Sequence, residues 1–447
     1  METSPESPAA LNETRTARQA PVLYRPRNYR LGVANGVLYI LSEALLDPTL
    51  VLVAFLSHLT QNPILLGLVL PIRDGSWALP QLWVSGRLQS MRRKLPFYRW
   101  NSVLRIAAWF SLALAINFIH DPAWLLVAFF LTFTIASLFS GMSGLPFLEV
   151  VGKTIPPNRR GEFFAYRFGL GGLASIGGSF LVRWLLDASS PLPFPYNFGL
   201  LSFMYFLFGS IALMLFGLVK EPPDAQVLPR ASVLDQFKGA LTFVRIDSCY
   251  RRFIGMQSAL MVAGCATPFF AVYVQRQLGG PKEMVGVYLA VTVTTNLAAN
   301  LLFGRVSLKN GNQRVMALAI LAGLGMSGLV LALFLAAGPL RLSGLTASYL
   351  LIPVFILYGL RGTGIGVASN SLLLEIAPAS SRSLYLGFYN TFIGLVILAT
   401  GTSGVALSLL GFEGLVAVTI AAHLLALWAS RGIHPAGEQV GPQNPGD

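Results

Sequence analysis

Residues Ile64–Phe118 read ILLGLVLPIRDGSWALPQLWVSGRLQSMRRKLPFYRWNSVLRIAAWFSLALAINF. Two apolar runs, near 64–85 and 100–118, flank a connection that carries Arg87, Arg92, Arg93, Lys94 and Arg99. A helix rises about 1.5 Å per residue, so roughly 20 mainly apolar residues cross a hydrocarbon core about 30 Å thick. Each run has that length, and the stretch reads as two membrane-spanning helices joined by a short basic loop.

Working outward, the same pattern recurs along the whole chain. About twelve candidate spans lie near 33–57, 64–85, 100–118, 124–147, 163–186, 196–218, 253–275, 284–304, 315–336, 347–373, 384–409 and 414–430. The 447 residues are 54% hydrophobic and only 11% charged, against roughly 25% charged in soluble domains. The fold class expected is therefore an all-α polytopic membrane protein. A formal charge of +13 would suggest nucleic acid if it were concentrated on one domain, but the basic residues recur between apolar runs and exclude that partner.

Lys and Arg are unevenly divided between the two sides. One set of connections carries Arg87 to Arg99, then Lys153, Arg159 and Arg160, then Lys220 to Arg252, then Arg305, Lys309 and Arg314. The other set holds Arg276, Lys282 and Arg341. The positive-inside rule puts the first set and both termini in the cytoplasm, and the chain in the cytoplasmic membrane. Met1–Arg30 has no apolar core of a cleaved signal and reads as a cytoplasmic tail. Arg431–Asp447 is a second polar tail.

The longest connection, Lys220 to Arg252, leaves six spans on each side. In it Val233, Phe237, Leu241 and Val244 recur at helical spacing, away from Asp235, Lys238 and Arg245, as in a helix lying on a membrane surface. A plain solvated linker is the alternative. The division of the chain is thus a tail (1–30), a first bundle (31–219), a linker (220–252), a second bundle (253–430) and a tail (431–447).

The two halves echo each other. After the second span comes Gly86-Arg-Leu-Gln-Ser90-Met-Arg-Arg-Lys94, and after the eighth Gly304-Arg-Val-Ser-Leu308-Lys309-Asn-Gly311-Asn-Gln-Arg314. Pro157-Asn-Arg-Arg160 before the fifth span is matched by Pro378-Ala-Ser-Ser-Arg382 before the eleventh. On these motifs and on the Lys220-Glu221-Pro222 exit from the sixth span, the chain resembles the major facilitator superfamily over roughly residues 30 to 430. That family's loop has an Asp four residues after its first Gly; Ser90 and Leu308 stand there in this chain, while Gly86, Arg93, Lys94, Gly304, Lys309 and Gly311 keep the outline. Of the family's drug-antiporter motif, Gly-Pro-x-x-Gly-Gly, only Gly177 and Gly178 remain. The resemblance implies two six-helix bundles with a solute site between them near the midplane, and alternating access by rocking of one bundle against the other. It also implies that gating pairs form at cytoplasmic helix ends, where Glu149, Lys153, Arg159, Arg160, Glu375 and Arg382 fall.

A charge at the bilayer centre costs roughly 2.5–3.5 kcal/mol on insertion scales, so each needs a reason. At about 100° per residue, Asn35, Tyr39, Ser42 and Glu43 share an arc of the first span with Asp47 at its edge. The resemblance places that helix on the central cavity. Arg73 and Asp74 lie midway along the second span, and Arg73 is free to pair with Glu43 or Asp47. A proton or substrate relay and a static pair joining two helices both fit these residues. In the tenth span Gly359, Gly362, Gly366 and Asn370 form one stripe beside Arg361, which either meets an anionic group or bonds loosened backbone carbonyls. Arg105 is read as snorkelling from the inner end of the third span. The Gly-rich run 169–178 is read as a packing face, because no strand precedes it.

Cys249 and Cys265 carry no metal or redox motif, and the four histidines, His58, His120, His423 and His434, have no ligand spacing. No nucleotide loop or nucleophile arrangement stands out, so neither an enzyme nor a cofactor is expected. The function expected is secondary transport of a small anionic or polyhydroxylated solute, coupled to protons, by a monomer. An uncoupled facilitator and a transport-inactive sensor or assembly factor on the same fold are the alternatives.

Overall fold

The computed structural model describes residues 26–187, 189–224, 244–377 and 382–433. Val233, Phe237 and Leu241 of the expected surface helix lie outside the described residues. The first helix begins at Pro26, inside the stretch read as a tail.

Among the described residues, nine helices are long and apolar enough to cross a bilayer. The last of them, Phe388–Ser430, makes two crossings, because Gly411 adopts φ 71°, where a residue with a Cβ is strained, and the chain turns back there. Two further crossings are missing from that set because they are broken. The first span is Pro26–Leu45 followed by Val51–Leu59, and the second is Pro63–Gly67, Val69–Ala78 and Gln81–Leu88. Proline lacks the N–H that the preceding turn needs, so Pro48 and Pro80 fall at the interruptions. The seventh span is broken in the same way, as Ser248–Ala263 and Thr267–Gln277. Twelve crossings result, in two six-helix bundles.

Asn28 and Lys220 bond each other, and Arg252 donates to the Gly432 carbonyl, so the first and last described residues and those flanking residues 225–243 lie on one face, the basal face. The opposite face is distal. Buried apolar residues fall into three clusters. One draws on both bundles at the distal side, with Val51, Phe55 and Leu56 of the first span in the same cluster as Phe269, Phe270 and Val285. The other two, around Phe163 and Phe216 and around Phe253 and Phe303, are each confined to one bundle. The bundles thus share a core distally and have separate cores basally.

Glycines set the distal seam. A Cβ on Gly404 of the eleventh span would stand 2.2 Å from the Pro63 carbonyl oxygen, and one on Gly286 would stand 2.5 Å from the Arg183 backbone nitrogen. Only a glycine permits either approach. Arg276 adds a polar latch, donating to the carbonyls of Ser57 and Thr60, each at 2.7 Å.

Candidate functional site

The first span supplies the centre of the site. Glu43, at the basal side of its break, has one oxygen 2.9 Å from Arg73 Nη2 and the other 3.7 Å from Arg105 Nη2. Tyr205 donates to the same carboxylate at 3.4 Å. Arg73 Nη1 lies 3.7 Å from Asp74, so one guanidinium is shared by two carboxylates on different helices. Asp74 is the more open of these, with 48% of its side chain exposed against 23% for Glu43.

Asp47 serves the backbone. Its Oδ1 accepts from the N–H groups of Thr49 and Leu50, at 2.9 and 2.8 Å, where the chain re-enters the helix at Val51. Tyr39 accepts from Arg105 at 2.7 Å. Asn35 is buried, donating to the Ala212 carbonyl and accepting from Arg167 at 2.8 Å.

Arg167 escaped the sequence reading, and Arg105 was misread there as snorkelling. Arg105 does not snorkel: it is 5% exposed and stacks on Trp109 at 4.4 Å and Tyr39 at 5.1 Å. Arg167 lies over Phe147 at 4.7 Å and reaches the Gly32 carbonyl. Both sit well inside apolar helices, and the insertion cost that singled out Arg73 applied to them equally.

In the second bundle Arg361 is 7% exposed. It donates to the Leu260 carbonyl at 2.6 Å and to His423 Nε2 at 3.0 Å. His423 Nδ1 lies 2.9 Å from the Thr419 carbonyl, which only accepts, so Nδ1 carries the proton and the ring is neutral. In the sequence His423 shows only that it lacks metal-ligand spacing, which carries no sign of this bond. Among the described residues no group of three or more His, Cys, Asp or Glu could hold a metal.

Two cavities bring these groups together across the bundles. One, of about 700 Å³, is lined by Glu43, Asp47, Arg73, Asn296, Tyr358 and Asn370 among others. The second, of about 230 Å³, holds Arg73 and Asp74 from the first bundle and Thr267, Tyr358 and Arg361 from the second. Thr49 and Tyr358 hydroxyls meet across the gap at 3.3 Å.

The basal loop residues fall into local groups. Glu221, with 1% of its side chain exposed, accepts from the N–H groups of Lys94 and Leu95 and from Lys153 at 2.8 Å. Asp224 pairs with Lys153 at 2.8 Å and also with Lys94. The acids that meet this loop thus come from the end of the same bundle. Gly86 is buried and Arg93 exposed, and Arg160 caps the carbonyls of Gly152 and Ile155. In the second bundle Gly311 turns at φ 81°, and Asn312 links Ser307 to Glu375. Lys309 is exposed, and nothing lies within 4 Å of a Cβ placed on Gly304. The Arg382 side chain lies outside the described residues.

Partial burial opposes ionisation of Asp224, but hydrogen bonds from Lys153 and Lys94 outweigh it and hold the carboxyl below its ordinary value of 3.8. A depressed folded-state value means that this contribution is present above the unfolded pKa and is lost as pH falls through the folded one, below 3.8. Glu221→Ala leaves Lys153 and two backbone N–H groups without their buried acceptor, and breaking such a pair costs about 3–5 kcal/mol. The melting temperature in detergent should fall clearly, and by less for Asp224→Asn, whose carboxylate is 29% exposed. An unchanged melting temperature in Glu221→Ala would contradict this clamp.

Twelve crossings in two bundles, with charged side chains gathered in cavities between them, define a multi-pass membrane transporter. The family model of the Major Facilitator Superfamily matches residues 33–401. The chain belongs to that superfamily. Solved structures agree in fold. A nucleoside transporter, NupG, is 16% identical with a TM-score of 0.62, covering 90% of this chain and 98% of its own. A bacterial homologue of the iron transporter ferroportin, inward-facing, is 15% identical with a TM-score of 0.67 over 92% and 99%. A D-xylose-proton symporter is 15% identical with a TM-score of 0.63 over 90% and 96%. No curated protein matches the sequence significantly.

Proposed function

We propose that this chain is a secondary active transporter that moves a small solute by alternating access, coupled to protons, across the cytoplasmic membrane with its basal face inward. The observation that supports coupling is the sharing of Arg73 between Glu43, at 2.9 Å, and Asp74, at 3.7 Å, beside the cavities between the bundles. A proton on Glu43 removes the charge that holds Arg73, and the guanidinium then has Asp74 as its remaining partner. Protonation is thereby tied to a rearrangement of cavity-lining groups, as coupling requires. Separate basal cores and a shared distal core support a basally open arrangement. In the opposite arrangement the distal seam parts.

An uncoupled facilitator is favoured by one feature: each Glu43 oxygen already faces a cation, as in a static network. Flux separates the two. Purified protein in liposomes, given a solute selected by thermal shift, should accumulate it only with a pH gradient; equal uptake without one selects the facilitator. Reporter fusions at Asp447 and between Gln226 and Ala231 should both read cytoplasmic. An external signal at either site overturns the orientation.

A further inference from the structure

Each bundle begins with a broken helix, and the two breaks differ in charge. In the first span, the distal segment Val51–Leu59 is preceded by a carboxylate that belongs to the chain, since Asp47 accepts from the N–H groups of Thr49 and Leu50. In the seventh span, the distal segment Thr267–Gln277 starts at Ala266 with no side-chain cap. A helix start carries partial positive charge and favours an anion. Beside this second break stands a cation: Arg361 donates to the Leu260 carbonyl, at the end of the preceding segment, and lies over Gly264, where a Cβ would come within 3.4 Å of its Nη2.

No described acid of the second bundle balances that cation, and Asp74 of the first, which lines the same cavity, is paired with Arg73. The second bundle's described acids, Asp247, Glu283, Glu375 and Glu413, all sit at helix ends, and Arg361 makes no ion pair among the described residues. Neutral His423 and the Leu260 carbonyl hold the guanidinium in place without cancelling its charge. Thr267 lines the same cavity, is 3% exposed, and its hydroxyl has no hydrogen-bond partner. A buried hydroxyl left unbonded is costly and calls for a partner.

We propose that the break in the seventh span binds the carboxylate group of a small organic anion, held by Arg361 and Thr267, and that this anion is the solute carried. The binding part stands on the geometry above; the transport part rests on the function already proposed. A planar guanidinium matches a carboxylate and bonds it more strongly than a neutral oxygen. The bound carboxylate occupies, in the second bundle, the place that Asp47 fills in the first.

The test is equilibrium binding to the full-length protein in detergent, without a membrane or gradient, so failed transport and failed binding remain distinguishable. The melting temperature is followed against acetate and against acetamide at constant ionic strength, up to about 100 mM, a hundredfold excess over a millimolar site. A rise with acetate alone is expected. Arg361→Gln should weaken it by more than about tenfold, as loss of a charge-assisted bond implies. Thr267→Val is the sharper variant, because its hydroxyl bonds nothing in the empty protein. Its unliganded melting temperature should equal or exceed that of the parent, while the acetate response falls. If Arg361→Gln fails to fold, Thr267→Val decides. No rise with acetate, an equal rise with acetamide, or an undiminished response in Thr267→Val overturns the proposal.

Discussion

Glu43→Gln is expected to abolish pH-gradient-driven accumulation while leaving the protein folded and, in part, still able to exchange solute down its own gradient. The amide keeps the shape of the side chain and its hydrogen bonding to Tyr205, but it neither exchanges a proton nor pairs with Arg73 and Arg105. Among the described residues Arg73 then has Asp74 as its one ion-pair partner. A purely static network predicts a different result. Arg73 and Glu43 are 39% and 23% exposed, so losing one partner of this half-buried pair costs less than the about 3–5 kcal/mol of a fully buried one; melting temperature would still drop, and the added substitution Arg73→Gln would restore much of it. Arg105 limits that restoration, since it also loses its carboxylate. Driven uptake and melting temperature measured on both variants separate these outcomes. Normal driven uptake in Glu43→Gln removes it from the coupling pathway, whatever happens to stability.

Replacing Gly404 and Gly286 together by Val is expected to stop transport by preventing the distal seam from closing. Their Cβ atoms would stand 2.2 Å from Pro63 O and 2.5 Å from Arg183 N, both backbone atoms that no side-chain rotation moves away. Overpacking typically costs about 1–3 kcal/mol where a core can adjust. Here the adjustment available is separation of the bundles, because each retains its own basal core. Cys265 lines the cavity between them and provides a native reporter in a Cys249→Ser background. An impermeant thiol reagent applied at the distal face should label Cys265 faster in the double variant than in the parent. Retained uptake with unchanged labelling would show that the seam does not gate access.

The spans, their number and their pairing into bundles were legible because they depend on local quantities. A run of about 20 apolar residues has one stable disposition in a bilayer, which is read without reference to any tertiary contact. Glu43, Arg73 and Arg361 stood out for the same reason, as charges inside apolar runs. Helix breaks were less legible: Pro48 marks the first and Pro268, at the start of the second segment, the one in the seventh span, yet Pro146 sits inside an unbroken helix.

What the sequence by itself determined is the architecture and the identity of most charges inside apolar helices; what only the tertiary structure decided is which partner each charge takes. Periodicity puts Asn35, Tyr39, Glu43 and Asp47 near one face, yet in the fold Asn35 goes to Arg167, Tyr39 to Arg105, Glu43 to Arg73, and Asp47 to its own backbone. Helical spacing fixes an azimuth, whereas a partner depends on how neighbouring helices are rotated and how deep they sit. Those are set by packing between helices of the same bundle, through contacts such as Gly32 on Phe163 that join residues more than 100 positions apart. The part His423 plays in the fold was not legible, because it lies in the bond to Arg361 on another helix.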